Sequence, residues 1–124
     1  MRIDVKGRNL TVSDDMREHI ETRFRKVSRQ VSELAHLEVE LSEERNPAIA
    51  DSQVAEATLY LKGVTLRSRD ASRDMLHSIR LCADELAVQV KRHRVKRRKR
   101  RETRAAVNSA PPEQAAGALP GAAG

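Results

Sequence analysis

The sequence predicts an α/β (α+β) two-layer sandwich, in which a four-stranded sheet carries two helices on one face in the order β-α-β-β-β-α. Four segments alternate apolar and polar residues, which is the period of a half-buried strand. Two longer segments repeat apolar residues every three or four positions, which is the period of an amphipathic helix. Because each predicted strand has only one apolar side, both helices are expected on the same face of the sheet.

The first strand and the first helix are predicted within residues 2–34. Ile3 and Val5 share one face of a strand over residues 2–9, with charged residues between them. Ser13 is the expected N-cap of the following helix, because serine accepts a hydrogen bond from the free amides of a first turn. The helix is about 20 residues long and carries one apolar stripe. The stripe consists of Met16, Ile20, Phe24, Val27, Val31 and Leu34.

Three more strands and a second helix complete the predicted fold. Alternation predicts strands over residues 36–45, 53–62 and 64–69, with Gly63 in a tight turn between the last two. The second helix is predicted from about Ser72 to the late nineties. Its stripe consists of Met75, Ile79, Cys82, Leu86, Val90 and His93. The first two strands are joined through a helix, so they should be parallel if adjacent, and the other pairs antiparallel.

The positive charge of the chain is concentrated near the end of the second predicted helix. Ten of the fourteen residues in 91–104 are Lys or Arg, whereas residues 1–90 hold 14 basic and 16 acidic side chains. Such a patch neutralises phosphates and releases counterions, which favours RNA or DNA as the partner and makes binding salt-dependent. A second basic row, Arg23, Lys26 and Arg29, lies beside the stripe of the first helix. Two helices on one layer are expected to present both basic groups together.

Composition divides the chain into a predicted domain over residues 1–100 and a tail over residues 101–124. Beyond the basic run the tail is rich in Ala, Pro and Gly and offers little to bury except Val107 and Leu119. Segments of this kind cannot offset the entropy of ordering, so the tail is expected to be disordered.

Composition also narrows the class of protein. Phe24 and Tyr60 are the only aromatic residues, which argues against recognition of RNA bases by stacking on a sheet. The single cysteine, Cys82, lies on the apolar side of a predicted helix and is expected to be buried. No signal peptide and no apolar run of about 20 residues is present. The prediction is a soluble, cytoplasmic, monomeric protein that binds neither a membrane nor a small-molecule substrate.

No catalytic or metal-binding constellation is recognised in the sequence. The four histidines do not pair with Cys, His or carboxylates at metal-ligand spacing. The five glycines are scattered or lie in the tail, so they form no phosphate-binding loop. A nucleophile elbow is also lacking. The prediction is therefore a protein that is not an enzyme and uses no cofactor and no metal.

Two short stretches carry a resemblance to a known family. In residues 69–80 the matches to an Asp-Met-Tyr-x-Ala-Ile-Asp pattern are Asp74, Met75 and Ile79. In residues 84–94 the matches to an Asp-Lys-Leu-x-x-Gln-Leu-x-Lys-x-Lys pattern are Asp84, Leu86 and Gln89, with Arg92 and Arg94 in place of Lys. Together with the element order, these stretches resemble the bacterial ribosome hibernation promoting factor / ribosome-associated inhibitor A family, also described as sigma modulation protein-like.

The resemblance implies a fold related to double-stranded RNA-binding domains. It also implies a site in the mRNA and tRNA channel of the small ribosomal subunit, where binding to rRNA inhibits translation during stress or stationary phase. The chain is similar to a short form of the family, or to a long form lacking the C-terminal dimerisation domain. The predicted RNA-binding residues are Arg23, Lys26, Arg29, Lys91, Arg92, Arg94, Lys96 and Arg97.

Two alternatives remain at the level of the sequence. The chain could be a general double-stranded RNA- or DNA-binding protein that uses the same two helices. It could also be a protein-interaction module whose basic run is only an address or a clamp for an acidic partner. The first alternative predicts similar affinity for any duplex, and the second predicts that reversing the charges of the first-helix row changes nothing.

Overall fold

The computed structural model describes residues 1–109 of the chain, with the side chains of residues 1–104. The elements follow the order predicted from the sequence, with one additional short helix. They are β1 (Arg2–Arg8), α1 (Asp14–Arg23), α2 (Arg25–Ser28), β2 (His36–Glu43), β3 (Gln53–Leu61), β4 (Val64–Ser72) and α3 (Met75–Ser109).

The four strands form one mixed sheet in the order β1-β2-β3-β4. Strand β1 runs parallel to β2, with Ile3 opposite Leu37 and Val5 opposite Val39. The pairs β2–β3 and β3–β4 are antiparallel. This arrangement confirms the predicted fold class, because the parallel pair is the one joined through helices and the antiparallel pairs are joined by loops.

The core lies between the sheet and the helices and is almost wholly aliphatic. The inward residues of β2 and β3 alternate with polar ones and are fully or nearly fully buried, as the period-two pattern predicts. Phe24 is the one aromatic ring in the core, with none of its surface exposed. The other members contributed by helices are Ile20, Val27, Met75, Ile79, Cys82, Ala83, Leu86 and Val90. One cluster of buried residues therefore joins both helical segments to a single sheet face, as predicted.

The first helix is shorter than the sequence predicts. It begins as expected, with the Ser13 side chain accepting a hydrogen bond from the amide of Met16 at 3.2 Å. It then ends at Arg23, and α2 follows as a single short turn. The predicted stripe is wrong at its end, because Leu34 is 93% exposed. At Leu34 the chain forms a local turn, in which the Ser32 hydroxyl accepts a hydrogen bond from the amide of Leu34 at 3.1 Å, and bonds of this kind compete with helix.

The β4 and α3 boundaries also differ from the predicted ones. Strand β4 continues to Ser72, which pairs with Gln53, instead of ending at Arg69. Helix α3 begins at Met75, because Asp74 supplies the cap: its carboxylate accepts from the amide of His77 at 3.2 Å. At the other end, α3 continues through Ser109. Residues 101–109 are thus helix instead of the start of a disordered tail, since no Gly or Pro interrupts them.

The chain divides into two compact units, the first being Met1–Lys91 and the second beginning at Arg92. The first unit holds the sheet, α1, α2 and the start of α3, and every buried core residue belongs to it. Helix α3 contributes to both units. Of the predicted tail, residues 110–124 lie outside the described part of the chain.

Candidate nucleic-acid interface

The predicted basic row of the first helical segment is exposed in the structure. Arg23 is the last residue of α1, Lys26 lies in α2, and Arg29 caps the end of α2. Buried Phe24 and Val27 alternate with these three residues and fix the segment to the core. Anchoring by the apolar residues therefore directs the three cationic side chains to solvent, which is the placement that phosphate contacts require.

Lys26 differs from the other two members of the row. Its ammonium group forms an ion pair with the carboxylate of Asp84, which lies on α3. Both side chains remain about half exposed, at 44% for Lys26 and 53% for Asp84. Among residues 1–104, the structure shows no ion pair for Arg23 or Arg29, so their guanidinium groups face solvent without an acidic partner.

Lys91 extends the same region along α3. It lies seven residues after Asp84, which places both on one face of the helix, about 10 Å apart along its axis. Lys91 is exposed, and Val88 between them is 49% exposed. The first unit therefore brings together Arg23, Lys26 and Arg29 along the chain, and joins them to α3 through Asp84.

The remaining predicted residues, Arg92, Arg94, Lys96 and Arg97, belong to the second unit. All four are exposed and lie on α3, where the basic residues occupy every side of the helix and not one face. The following basic turns carry the ion pair between Arg98 and Glu102 at 3.9 Å, with both side chains about 70% exposed. This part of α3 is a basic helix with almost no apolar face, which is typical of a segment that contacts phosphates.

The outer face of the sheet presents charges of both signs that pair with one another. Glu40 on β2 is 3.4 Å from Lys6 and 3.8 Å from Arg8, both on β1. The carboxylate of Asp4 lies 2.5 Å from Nε2 of His36. Cross-strand pairs of this kind neutralise each other locally. The outer face is therefore a weaker candidate for binding a polyanion than the helical side.

Tyr60 is also tied to its neighbours on the outer face. Its ring stacks on that of His36 with a centroid separation of 5.7 Å. A hydrogen bond to Glu38 and the negative charge of that carboxylate raise the pKa of Tyr60. The 40% exposed ring is the only aromatic one outside the core.

Two residues that sequence reasoning missed belong to this region. Arg25 is exposed at the start of α2 and has no recorded ion pair within residues 1–104. The row was defined by its three-residue spacing, which leaves out Arg25, although Arg25 also lies away from the buried Phe24 and Val27. Asp84 was recognised as part of the stretch over residues 84–94 but not as part of the basic surface. Its ion-pair partner Lys26 is 58 positions away in the sequence, so no local pattern links the two residues.

Within residues 1–109 the structure holds no group of three or more side chains suited to a metal ion. The described helices include none that is long and apolar enough to cross a membrane. Cys82 is fully buried, as predicted, and its burial raises the pKa of the thiol to about 12. The thiol lies 3.1 Å from the Ser68 hydroxyl and takes part in packing.

The fold and the charge together define a class of protein, namely a small two-layer α/β domain that is followed by a strongly basic helix. The model of the family described as sigma 54 modulation protein / S30EA ribosomal protein matches residues 3–98. The chain therefore belongs to this family, and the resemblance noted in the sequence is confirmed.

Curated relatives carry names of the same kind. The chain is 28% identical over 97 residues to the ribosome hibernation promotion factor of Picosynechococcus sp. The aligned region covers 77% of this chain and 50% of that protein. It is 26% identical over 99 residues to the ribosome hibernation promoting factor of Acinetobacter guillouiae, covering 76% and 88% respectively. The chain thus spans half the length of the first relative and most of the second.

Solved structures show the same fold. The N-terminal domain of Protein Y from Thermus thermophilus is 28% identical, with a TM-score of 0.65 over 75% of this chain and 99% of that one. A ribosomal subunit interface protein from Coxiella burnetii, at 18% identity, has a TM-score of 0.65 over 77% of this chain and 99% of that one. The second likeness concerns the fold alone.

Proposed function

We propose that this protein is a ribosome hibernation factor, a stoichiometric binder and not an enzyme, that occupies the small ribosomal subunit in its mRNA and tRNA channel. By contacting rRNA there, it inhibits translation under stress or in stationary phase. The observation that carries the proposal is family membership over residues 3–98 combined with relatives named ribosome hibernation factors. The protein acts in the cytoplasm as a monomer.

The geometry supports contacts to phosphates as the source of affinity. Arg23 and Arg29 are exposed and lack an acidic partner within residues 1–104. They and Arg25 offer guanidinium groups, which match phosphate oxygens in a bidentate fashion. The basic helix from Lys91 onward supplies further cations. Contacts of this kind position a protein on RNA by shape and charge and not by base sequence.

The test is co-sedimentation of the purified protein with small subunits in a salt series, beside naked duplex RNA. We expect retention on subunits near physiological salt and its loss when mRNA and initiator tRNA occupy the channel. Equal binding to naked duplex and to subunits, without competition, would instead identify a general duplex-binding protein, the second candidate raised by the basic composition.

A double charge reversal identifies the surface that is used. Arg23→Glu with Arg29→Glu is expected to weaken subunit binding at least about tenfold, because charge-assisted hydrogen bonds are worth about 1.5 kcal/mol or more each. The matched control is Arg45→Glu with Lys62→Glu, which changes the net charge equally at exposed positions outside the helices. If both double variants bind small subunits with the same affinity, the row of Arg23, Lys26 and Arg29 is not the interface. A protein-interaction module then becomes the better hypothesis for the function of the chain.

A further inference from the structure

One apolar side chain of the first unit is almost completely exposed. Leu34 is 93% exposed, whereas the next most exposed large apolar side chain among the described residues, Val88, reaches 49%. A leucine in this position adds almost nothing to the stability of the core, because little of its surface is removed from water. The fold alone therefore gives no reason for a leucine at this position.

The backbone holds Leu34 in a defined place. In its turn, the Ser32 hydroxyl accepts from the amide of Leu34 at 3.1 Å, and the Ser32 carbonyl oxygen accepts from the amide of Ala35 at 3.0 Å. Before the turn, Val31 packs against the core. After it, Ala35 is buried, and its carbonyl oxygen accepts from the amide of Arg2 at 2.9 Å. Both ends of the turn are thus fixed, so a contact made by Leu34 requires little ordering of the backbone.

The turn continues the segment that carries the basic row. Residues 23–33 contain four Lys or Arg and one acidic residue, Glu33, and so carry a net charge of +3. Leu34 follows Arg29 by five residues, which even an extended chain cannot stretch beyond about 18 Å. A partner that covers Leu34 therefore also meets this positive charge, which favours a polyanion over a basic protein surface.

The chemistry of a leucine side chain selects one part of an RNA. A phosphate gains nothing from an aliphatic group, whereas the apolar face of an unstacked base is removed from water by it. In a regular duplex the base faces are stacked on one another and only edges and backbone are accessible. A folded rRNA also presents unpaired bases in loops and bulges. Leu34 is therefore suited to the second kind of RNA and not to the first.

We propose that Leu34 is a specificity-determining residue that packs on the face of an unpaired base of rRNA. The inference rests on the proposed function, since that base belongs to the proposed site on the small subunit. The basic residues attract RNA of any kind, and Leu34 adds affinity only where a base is exposed. The contact recognises the unpaired state of the base and not its identity, because an aliphatic side chain has no hydrogen-bonding group.

The first experiment compares Leu34→Ala with wild type on isolated small subunits and on a naked RNA duplex, over a salt series. We expect subunit affinity to fall about five- to twentyfold, because the burial of a leucine side chain is lost. The slope of log K against log salt should not change, since no phosphate contact is removed. Duplex affinity should stay within about twofold of wild type, because a duplex offers phosphates and no free base face.

The matched control is Ile49→Ala, which truncates another exposed aliphatic side chain. Ile49 is 43% exposed and follows β2, whereas Leu34 precedes β2, so the two residues lie beyond opposite ends of that strand. Ile49→Ala should leave subunit affinity within about twofold of wild type. Unchanged subunit affinity for Leu34→Ala, or an equal loss in both variants, overturns the inference.

Denaturant unfolding of Leu34→Ala shows whether the substitution disturbs the fold. The midpoint should equal that of wild type, because the side chain is almost fully exposed in the folded protein. A clear fall in the midpoint would mean that Leu34 packs within the protein, which contradicts the role proposed for it.

A second experiment identifies what covers Leu34. A photoreactive aliphatic residue that carries a diazirine is incorporated at position 34, and the full chain is irradiated in complex with small subunits. Cross-links to an unpaired nucleotide of rRNA are the expected result. Cross-links to a ribosomal protein or to a base-paired nucleotide, or no cross-link to the subunit, would show that another surface or none covers Leu34.

The outcomes separate this inference from the function on which it rests. If wild-type protein does not prefer subunits over duplex, the proposed function fails, and the inference fails with it. If wild type prefers subunits and Leu34→Ala keeps the same preference, only the inference fails. If Leu34→Ala weakens binding to duplex and subunits equally, the contact does not depend on an unpaired base, which also overturns the role proposed here.

Discussion

At the scale of single residues, two carboxyl groups face each other between β4 and α3. Asp70 lies on the inner side of β4, and its Oδ2 atom is buried. A hydrogen bond to Asp70, partial burial and the charge of Asp70 raise the pKa of Glu85. The carboxyl group of Glu85 therefore keeps its proton to a higher pH than an isolated glutamate does.

The raised pKa of Glu85 has a consequence for stability. A group whose pKa is higher in the folded state stabilises the fold below its unfolded pKa and loses that contribution as the pH rises through the folded value. The window therefore begins near the ordinary value of 4.5 and extends upward. Deprotonation within it places two negative charges side by side and weakens the β4–α3 contact.

Glu85→Gln is predicted to remove this pH dependence, because a glutamine amide donates to Asp70 at every pH. At neutral pH the variant should be more stable than wild type by about 0.5 kcal/mol, the size of an exposed polar contact. Urea unfolding from pH about 4 to about 8 measures the difference, with Glu33→Gln as the exposed control. Parallel stability curves for wild type and Glu85→Gln would contradict the assignment.

At the scale of elements, the contact between β4 and α3 is polar where the rest of the core is aliphatic. The Ser68 hydroxyl donates to the carbonyl oxygen of Cys82 at 2.9 Å. The Gln89 amide donates to the carbonyl oxygen of Arg67 at 2.5 Å. At the start of the helix, Ser72 and Ser78 lie 2.6 Å apart through their hydroxyl oxygens. A line of hydrogen bonds therefore fixes how far α3 lies along the strand.

Ser78 is fully buried at the end of this line nearest the start of α3, and we predict that Ser78→Ala destabilises the fold by about 1–2 kcal/mol. Its hydroxyl donates to the carbonyl oxygen of Gln53 at 2.7 Å, and alanine would leave that acceptor without its partner. Equilibrium unfolding in denaturant measures the change, with circular dichroism to confirm an intact native state. A change below about 0.3 kcal/mol would mean that water replaces the lost donor.

The strands and helices whose apolar residues repeat regularly could be predicted from the sequence. The boundaries and contacts that depend on hydrogen bonds to other residues could not. The strands β2 and β3 were predicted within two residues because their apolar alternation continues along the whole length. The end of the first helix was missed, because the apolar stripe continues to Leu34, whereas the helices end at Arg23 and Ser28 and Leu34 is exposed. The polar β4–α3 contact joins residues that show no shared pattern in the sequence.

The candidate site was also predictable only in part. Exposure of Arg23, Lys26 and Arg29 could be predicted, since apolar neighbours alternate with them and must be buried. The partner of Lys26 could not, because Asp84 is 58 positions distant and reads as an ordinary surface acid. Periodicity predicts which side of an element a residue occupies, but not which residue of another element it meets.

At the scale of the whole molecule, charge and core are separated along the chain. Every buried core residue lies at or before Val90, whereas ten basic residues lie in 91–104. A dense run of like charges disfavours folding by self-repulsion. Residues in the run are good helix formers, and α3 continues through them without an apolar face. Stability and electrostatic attraction are therefore supplied by different parts of the chain.

This separation predicts that shortening the chain to residues 1–97 leaves its thermal stability nearly unchanged and weakens RNA binding. The unfolding midpoint should stay within about 2 °C, because no core residue is lost. Five basic residues are removed, namely Arg98, Lys99, Arg100, Arg101 and Arg104. Since each phosphate contact contributes about 0.9 to the slope of log K against log salt, that slope should fall by about 1 to 4.

The control for the shortened chain is a chain of residues 1–109, which keeps all of α3 and every Lys and Arg. It should match the full chain in both the unfolding midpoint and the salt slope. If the chain of residues 1–97 keeps the full slope, the turns beyond Arg97 do not contact phosphates, and affinity comes from the first unit and the residues up to Arg97. If its midpoint falls well below that of the control, the later turns of α3 stabilise the fold, and the separation of charge from stability is wrong.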